Sequence, residues 1–69
     1  MEIVDVRGLS CPIPVIRTKK IIDKGFTEIK VLGDNAVSCE NVSRLARNCG
    51  YNIEFTVEDK NAWEIILTK

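Results

Sequence analysis

Apolar and polar positions alternate with a period of two over some stretches of this chain and recur every three or four residues over others, and that pattern delimits its elements. Residues 2–7 (EIVDVR) place Val4 and Val6 on one face and Glu2, Asp5 and Arg7 toward boundaries or solvent, which predicts a short strand. Gly8-Leu9-Ser10 reads as a turn. Cys11-Pro12 then opens a helix, because proline is compatible with the first helical position. Pro14 still falls in the first turn, where its missing N–H costs no intrahelical bond. The helix is expected to run to Asp23 or Lys24 and to stop at Gly25. At ~100° per residue its one apolar face gathers Pro14, Val15, Thr18, Ile21 and Ile22. Arg17, Lys19 and Lys20 lie off that face, and so do the apolar Ile13 and Ile16.

Residues 28–32 (EIKVL) alternate as a second strand with Ile29 and Val31 inward. Strand, helix and strand within some thirty residues form a βαβ unit, so the two strands should be parallel with a right-handed crossover. Gly33 breaks the second strand, and Asp34 and Asn35 read as turn chemistry. A second helix follows, entered between Ser38 and Asn41, both competent caps. Its stripe is Val42, Leu45, Ala46 and Cys49, with Gly50 as the stop. Residues 51–58 (YNIEFTVE) alternate strictly, with Tyr51, Ile53, Phe55 and Val57 on one face. Asp59-Lys60-Asn61 makes a turn, and residues 62–68 (AWEIILT) return as a fourth strand, with Trp63 packing and the third strand as hairpin partner. The order is βαβαββ. The expected class is α+β, a two-layer sandwich in which two helices cover one face of a mixed four-stranded sheet.

Composition narrows what such a fold can do. Sixty-nine residues hold one domain, near the lower size limit for a core without staples. Ten basic and ten acidic side chains cancel, which argues against direct nucleic-acid binding by bulk electrostatics. No apolar run approaches the ~20 residues of a membrane span, so no membrane partner is expected. The start, MEIVDVRG, lacks the basic and apolar stretches of a signal peptide, which places the protein in the cytoplasm. With no histidine, the usual general base and the usual zinc nitrogen are both missing. Neither a metal nor a cofactor is therefore expected, and a self-sufficient enzyme is disfavoured.

Three cysteines, at 11, 39 and 49, carry what reactive chemistry the chain has. None forms a CxxC pair, so no thioredoxin-type dithiol or zinc half-site is written here. Cys49 falls on the apolar stripe of the second helix and reads as core. Cys39 lies near that helix's start with no basic residues beside it. Cys11 is the candidate catalytic residue, since it lies at a helix N-terminus, where unpaired N–H groups and the dipole favour a thiolate. The N–H groups of Ile13 and Val15 are the ones expected to face its sulfur. Pro12 and Pro14 stiffen its position, and Gly8 serves the turn before it. From Arg7 to Lys20 there are four basic residues (Arg7, Arg17, Lys19, Lys20) and no acid, a local excess that should attract an acidic partner surface. Ile13 and Ile16 would form the apolar centre of such a contact, or be covered by a loop.

Asp5-Val6-Arg7-Gly8-Leu9-Ser10-Cys11-Pro12-Ile13-Pro14-Val15-Ile16 resembles the CPxP signature of the TusA/SirA-like sulfur-carrier family, D-x-R/x-G-L-x-C-P-x-P-V. Lys19-Lys20 and Val31-Leu32-Gly33-Asp34-Asn35 match as well, and the likeness runs from about residue 3 to 69. Glu40-Asn41-Val42-Ser43-Arg44 and Cys49-Gly50-Tyr51 look closest to the N-terminal domain of YedF-type proteins. Asn41-Val42-Ser43 stands where TusA-like members often have an acidic residue, isoleucine and proline, a departure from the tRNA-thiolation branch. YedF-type proteins usually continue into a DsrE-like domain, so the chain reads as a stand-alone carrier or as the first domain of such a protein.

The resemblance implies the same sandwich and a sulfurtransferase-type role. Cys11 would accept sulfur as a persulfide from a cysteine desulfurase or another sulfurtransferase. It would then pass that sulfur to a downstream acceptor, in tRNA thiolation, cofactor supply, or selenium or sulfur metabolism; a DsrE-like protein is a further candidate partner. Two other classes fit the residues: a non-catalytic interaction or regulatory module docking through helix one, and a thiol redox protein using Cys11 with Cys39.

Overall fold

The strands pair as the alternation requires, and their register explains where the core sits. The computed structural model describes residues 1–58 and 62–69, in the order β1 (Glu2–Asp5), α1 (Ile13–Asp23), β2 (Glu28–Gly33), α2 (Ala36–Asn48), β3 (Asn52–Glu58) and β4 (Trp63–Thr68). The turn expected at Asp59-Lys60-Asn61 lies outside the described residues. The sheet order is β1-β2-β4-β3, with β1 parallel to β2 and β4 antiparallel to both its neighbours. The last strand in sequence is thus central, because it pairs with β2 as well as with its hairpin partner.

Paired residues share a face, so a single row, Val4, Val31, Ile65 and Phe55, crosses all four strands. A second row joins Ile29, Leu67 and Ile53. Both helices cover this face. Pro14, Thr18 and Ile22 of α1 and Ser38, Val42, Ser43 and Ala46 of α2 are buried over Ile29, Val31, Ile65 and Leu67. Each such large aliphatic side chain contributes about 1.5–3 kcal/mol on burial. Thr18 is tolerated in the interior because its hydroxyl donates to the Pro14 carbonyl one turn back, at 2.9 Å. Ile3, Lys30, Leu32, Glu64 and Ile66 point the other way and no helix covers them; Lys30 and Glu64 form an ion pair there at 3.2 Å.

Three expectations need correction. First, α1 begins at Ile13 rather than at Cys11-Pro12; Pro12 is the cap, and the Cys11–Pro12 peptide is cis. Second, α2 begins at Ala36, before the Ser38–Asn41 window. Asn35 caps it through its side-chain carbonyl, which accepts from the N–H groups of Val37 (2.8 Å) and Ser38 (3.4 Å). Third, the apolar face of β3 is only partly buried. A bulge between Phe55 and Val57 adds a residue, so Val57 pairs with Glu64 on the open face and is 43% exposed, while Phe55 is 39% exposed at the sheet's edge.

A tight approach joins the ends of β2 and β4. Gly33 pairs with Trp63, whose ring lies directly over it and whose Nε1–H donates to the Asn35 carbonyl at 2.8 Å. A Cβ at position 33 would sit 2.0 Å from Trp63 Cζ2. Gly33→Ala must therefore displace the indole and break its hydrogen bond, at a cost of roughly 2–4 kcal/mol from overpacking and an orphaned donor. Gly25, at φ +88° with open space around it, should lose only about 1 kcal/mol as Gly25→Ala. Urea unfolding of both variants checks the contrast, and equal losses would contradict it.

Candidate functional site

The segment that carries Cys11 is a loop fixed at several points along its length. Val6, 1% exposed, anchors its start in the core, and its N–H donates to the Leu32 carbonyl at 2.8 Å. Gly8 adopts φ +74°, a conformation that favours glycine, and its N–H donates to the Asp34 carboxylate at 2.9 Å. Leu9 packs partly against the core, and its N–H donates to the Val6 carbonyl. Ser10, Cys11 and Pro12 then lie exposed. The chain turns back through the hydrogen bond from the Ile13 N–H to the Ser10 carbonyl (3.0 Å), and Ile16 N–H donates to Pro12 as α1 begins. Pro14 at the second helical position is fully buried against the core.

Two parts of the expected site change. The Ile13 N–H is engaged with Ser10, so it is not directed at the Cys11 sulfur. The basic cluster is also partly neutralised. Arg7 grips Asp5 through Nε and Nη2 at 2.9 and 2.8 Å, and Lys19 pairs with Asp23. Arg17 and Lys20 form no ion pair among the described residues and line a groove beside β1. Ile13 and Ile16, 43% and 48% exposed, stand uncovered. Of the three cysteines only Cys11 is exposed; Cys39 in α2 and Cys49 at its C-terminal cap are half-buried and pack against the core. Among the described residues no group of acidic or cysteine side chains could hold a metal. No helix there is long and apolar enough to cross a membrane.

Asp34 and Asn35 do more than the turn chemistry expected of them. Asp34 reaches across 26 residues to the Cys11 loop, and Asn35 caps α2 and receives the Trp63 indole. The placement of asparagine just before a helical stripe was the available signal for the cap. Nothing in local sequence marks the Asp34–Gly8 bond, because it exists only once β1 and β2 lie side by side.

A short loop tied to the Asp34 carboxylate and carrying an exposed thiol ahead of a helix, on a two-layer sandwich of βαβαββ order, defines the class: a small α+β domain with one exposed cysteine among the described residues. The family model described as sulfurtransferase TusA matches residues 2–69, and the chain belongs to that family. It is 35% identical over its whole length to a protein of Methanocaldococcus jannaschii named "putative sulfur carrier protein", 95% of which is covered. It also resembles the crystal structure of a SirA-like protein from Desulfitobacterium hafniense, at 35% identity and a TM-score of 0.83, over 99% of this chain and 96% of that one. These matches support a role of the sulfur-carrier or sulfurtransferase type, and such a family implies protein partners that give and take sulfur.

Two outcomes follow from the loop's anchors. The side chain and backbone N–H of Arg7 bond to Asp5 and lower its carboxyl from 3.8 to about 2. A depressed folded-state value means the pair contributes stability above the unfolded pKa and loses it as pH falls through about 2. Asp5→Asn should therefore melt below the parent chain near neutral pH, with the gap closing as the pH drops through that window; a gap that persists in acid would refute the assignment. Asp34→Ala should speed amide exchange at Gly8 and cost about 1 kcal/mol, the worth of one charge-assisted bond at an exposed site. Unchanged exchange at Gly8 would show that the loop is held otherwise.

Proposed function

We propose that the protein carries sulfur as a persulfide on Cys11. The observation that supports this most directly is that Cys11 is the one exposed thiol of three and sits in the segment matching the family's signature. In the loading step the Cys11 thiolate attacks the terminal sulfur of a donor's persulfide. A new S–S bond forms at Cys11, the donor's S–S bond breaks, and the donor cysteine leaves as a thiolate, with no net oxidation. Delivery repeats the exchange on an acceptor. Such chemistry needs access and a competent thiolate more than a catalytic base, which suits a chain without histidine.

Gly8, Pro12 and Pro14 position the sulfur in this scheme. The exposed Ile13 and Ile16, with Arg7, Arg17, Lys19 and Lys20 around them, form the surface on which a cysteine desulfurase or another donor, and then an acceptor, dock in the cytoplasm. An apolar centre with a charged rim is the usual anatomy of such a contact.

Incubation with a cysteine desulfurase and cysteine, followed by intact-mass measurement, tests the proposal. The parent chain should gain one reducible sulfur atom, Cys39→Ser and Cys49→Ser should load as the parent does, and Cys11→Ser should gain none. Loading that survives Cys11→Ser, or a parent chain that takes up no sulfur, would reject the carrier role. An internal Cys11–Cys39 disulfide as the sole product would favour redox chemistry instead.

A further inference from the structure

The sheet has two edges, and they are treated differently. The β3 edge is interrupted by the bulge between Phe55 and Val57, a device that spoils pairing with another strand. The β1 edge carries no bulge, and the segment Glu2–Asp5 contains neither proline nor lysine. In a parallel ladder alternate residues direct their backbone groups to opposite sides. Val6 donates inward to Leu32, so Val4 and Glu2 face β2 as well, and the N–H and C=O groups of Ile3 and Asp5 point out from the open edge.

Alongside that edge runs a groove of about 480 Å³ between β1 and α1. Val4 and Ile21 give it an apolar floor, Ile3 and Asp5 of the strand edge bound it, and Arg17, Lys20 and Lys24 give it a basic wall. The two acids on its rim are already neutralised, Asp5 by Arg7 and Asp23 by Lys19. The three wall cations form no ion pair among the described residues. Outward-facing backbone groups, an apolar floor and a basic wall without close ion pairs among the described residues thus line one channel.

We propose that this groove binds an extended, acidic segment of a partner protein, which adds a fifth strand beside β1. Its backbone pairs with Ile3 and Asp5, its apolar side chains rest on Val4 and Ile21, and its carboxylates meet Arg17, Lys20 and Lys24. Strand addition to an exposed edge takes affinity from main-chain bonds and specificity from the flanking side chains. Four residues of strand span only ~13 Å. That patch is too small for a stable dimer, which needs ~1,200 Å² or more, and it favours a short peptide over a second copy of this chain. The groove shares Arg17 and Lys20 with the docking surface proposed above, but its strand-pairing edge, Ile3 and Asp5, does not include the Cys11 loop.

The test is titration of the isotopically labelled full chain with an end-blocked octapeptide of alternating valine and glutamate, followed by amide shifts and hydrogen exchange. Exchange at the Ile3 and Asp5 amides should slow. The Arg17→Glu/Lys20→Glu pair should weaken binding about ten-fold or more, as should lysine in place of glutamate in the peptide. An octapeptide N-methylated at alternate amides should give no protection. The proposal fails if the Ile3 and Asp5 amides are unaffected at millimolar peptide, if shifts are confined to Cys11, Ile13 and Ile16, or if the free chain sediments as a dimer with those amides already protected. Sulfur loading of Cys11→Ser, with peptide binding measured on the same variant, separates this proposal from the carrier role: the groove should bind the peptide as the parent does.

Discussion

The contact between Trp63 and Gly33 is the constraint on which the rest of this molecule depends. An indole can lie flat on a strand only where the strand has no side chain, and its N–H must then find an acceptor. Gly33 supplies the space and the Asn35 carbonyl supplies the acceptor. The same three-residue run, Gly33-Asp34-Asn35, also starts α2 through the Asn35 side chain and holds the Cys11 loop through the Asp34 carboxylate. One turn therefore fixes the end of the central strand, the start of a helix and the conformation of the loop before the thiol. A shift in any of them would be felt by the other two.

Small size explains why the candidate site lies outside the core. The interior is a single layer of aliphatic side chains between sheet and helices, and Ile29, Val31, Ile65 and Leu67 have no exposure at all. An interior pocket would require removing some of them from a domain with little stability to spare. The exposed thiol lies instead at the rim of the sandwich. A buried Val6 and a buried Pro14 bracket a short exposed loop, so the thiol lies within a few residues of firm anchors while remaining in solvent. Even the interior is imperfectly satisfied, for the Ser43 hydroxyl is buried with no partner among the described residues. The cost of that orphan falls on α2, away from the loop.

Much of the fold was legible because each element repeats its own period. Val4, Ile29, Val31, Ile65 and Leu67 alternate and are buried, and the α1 face of Pro14, Thr18 and Ile22 follows helical spacing. Alternation failed at Val57, since a bulge inverts every later side chain and leaves no mark in a pattern of apolar letters. The start of α2 was misplaced because Ser38 and Asn41 are as competent to cap as Asn35, and only the tertiary position of the turn selects among them. Cys11 was legible as the exposed thiol by its place between prolines ahead of a helix. The arrangement around it was not, since the partners of Ile13, Arg7 and Lys19 are set by short local geometry that charge counting does not resolve.

The anchoring of the Cys11 loop has a thermodynamic consequence. Its fixed points are Val6, the Gly8–Asp34 bond and the Ser10–Ile13 turn, and all of them are backbone groups or side chains other than the thiol itself. Among the described residues no hydrogen bond runs through the Cys11 sulfur, which lies exposed. A small group added at that sulfur would displace none of these anchors, so its attachment would draw on little of the folding free energy. A partner that tells a modified thiol from a bare one would then have to read the sulfur itself.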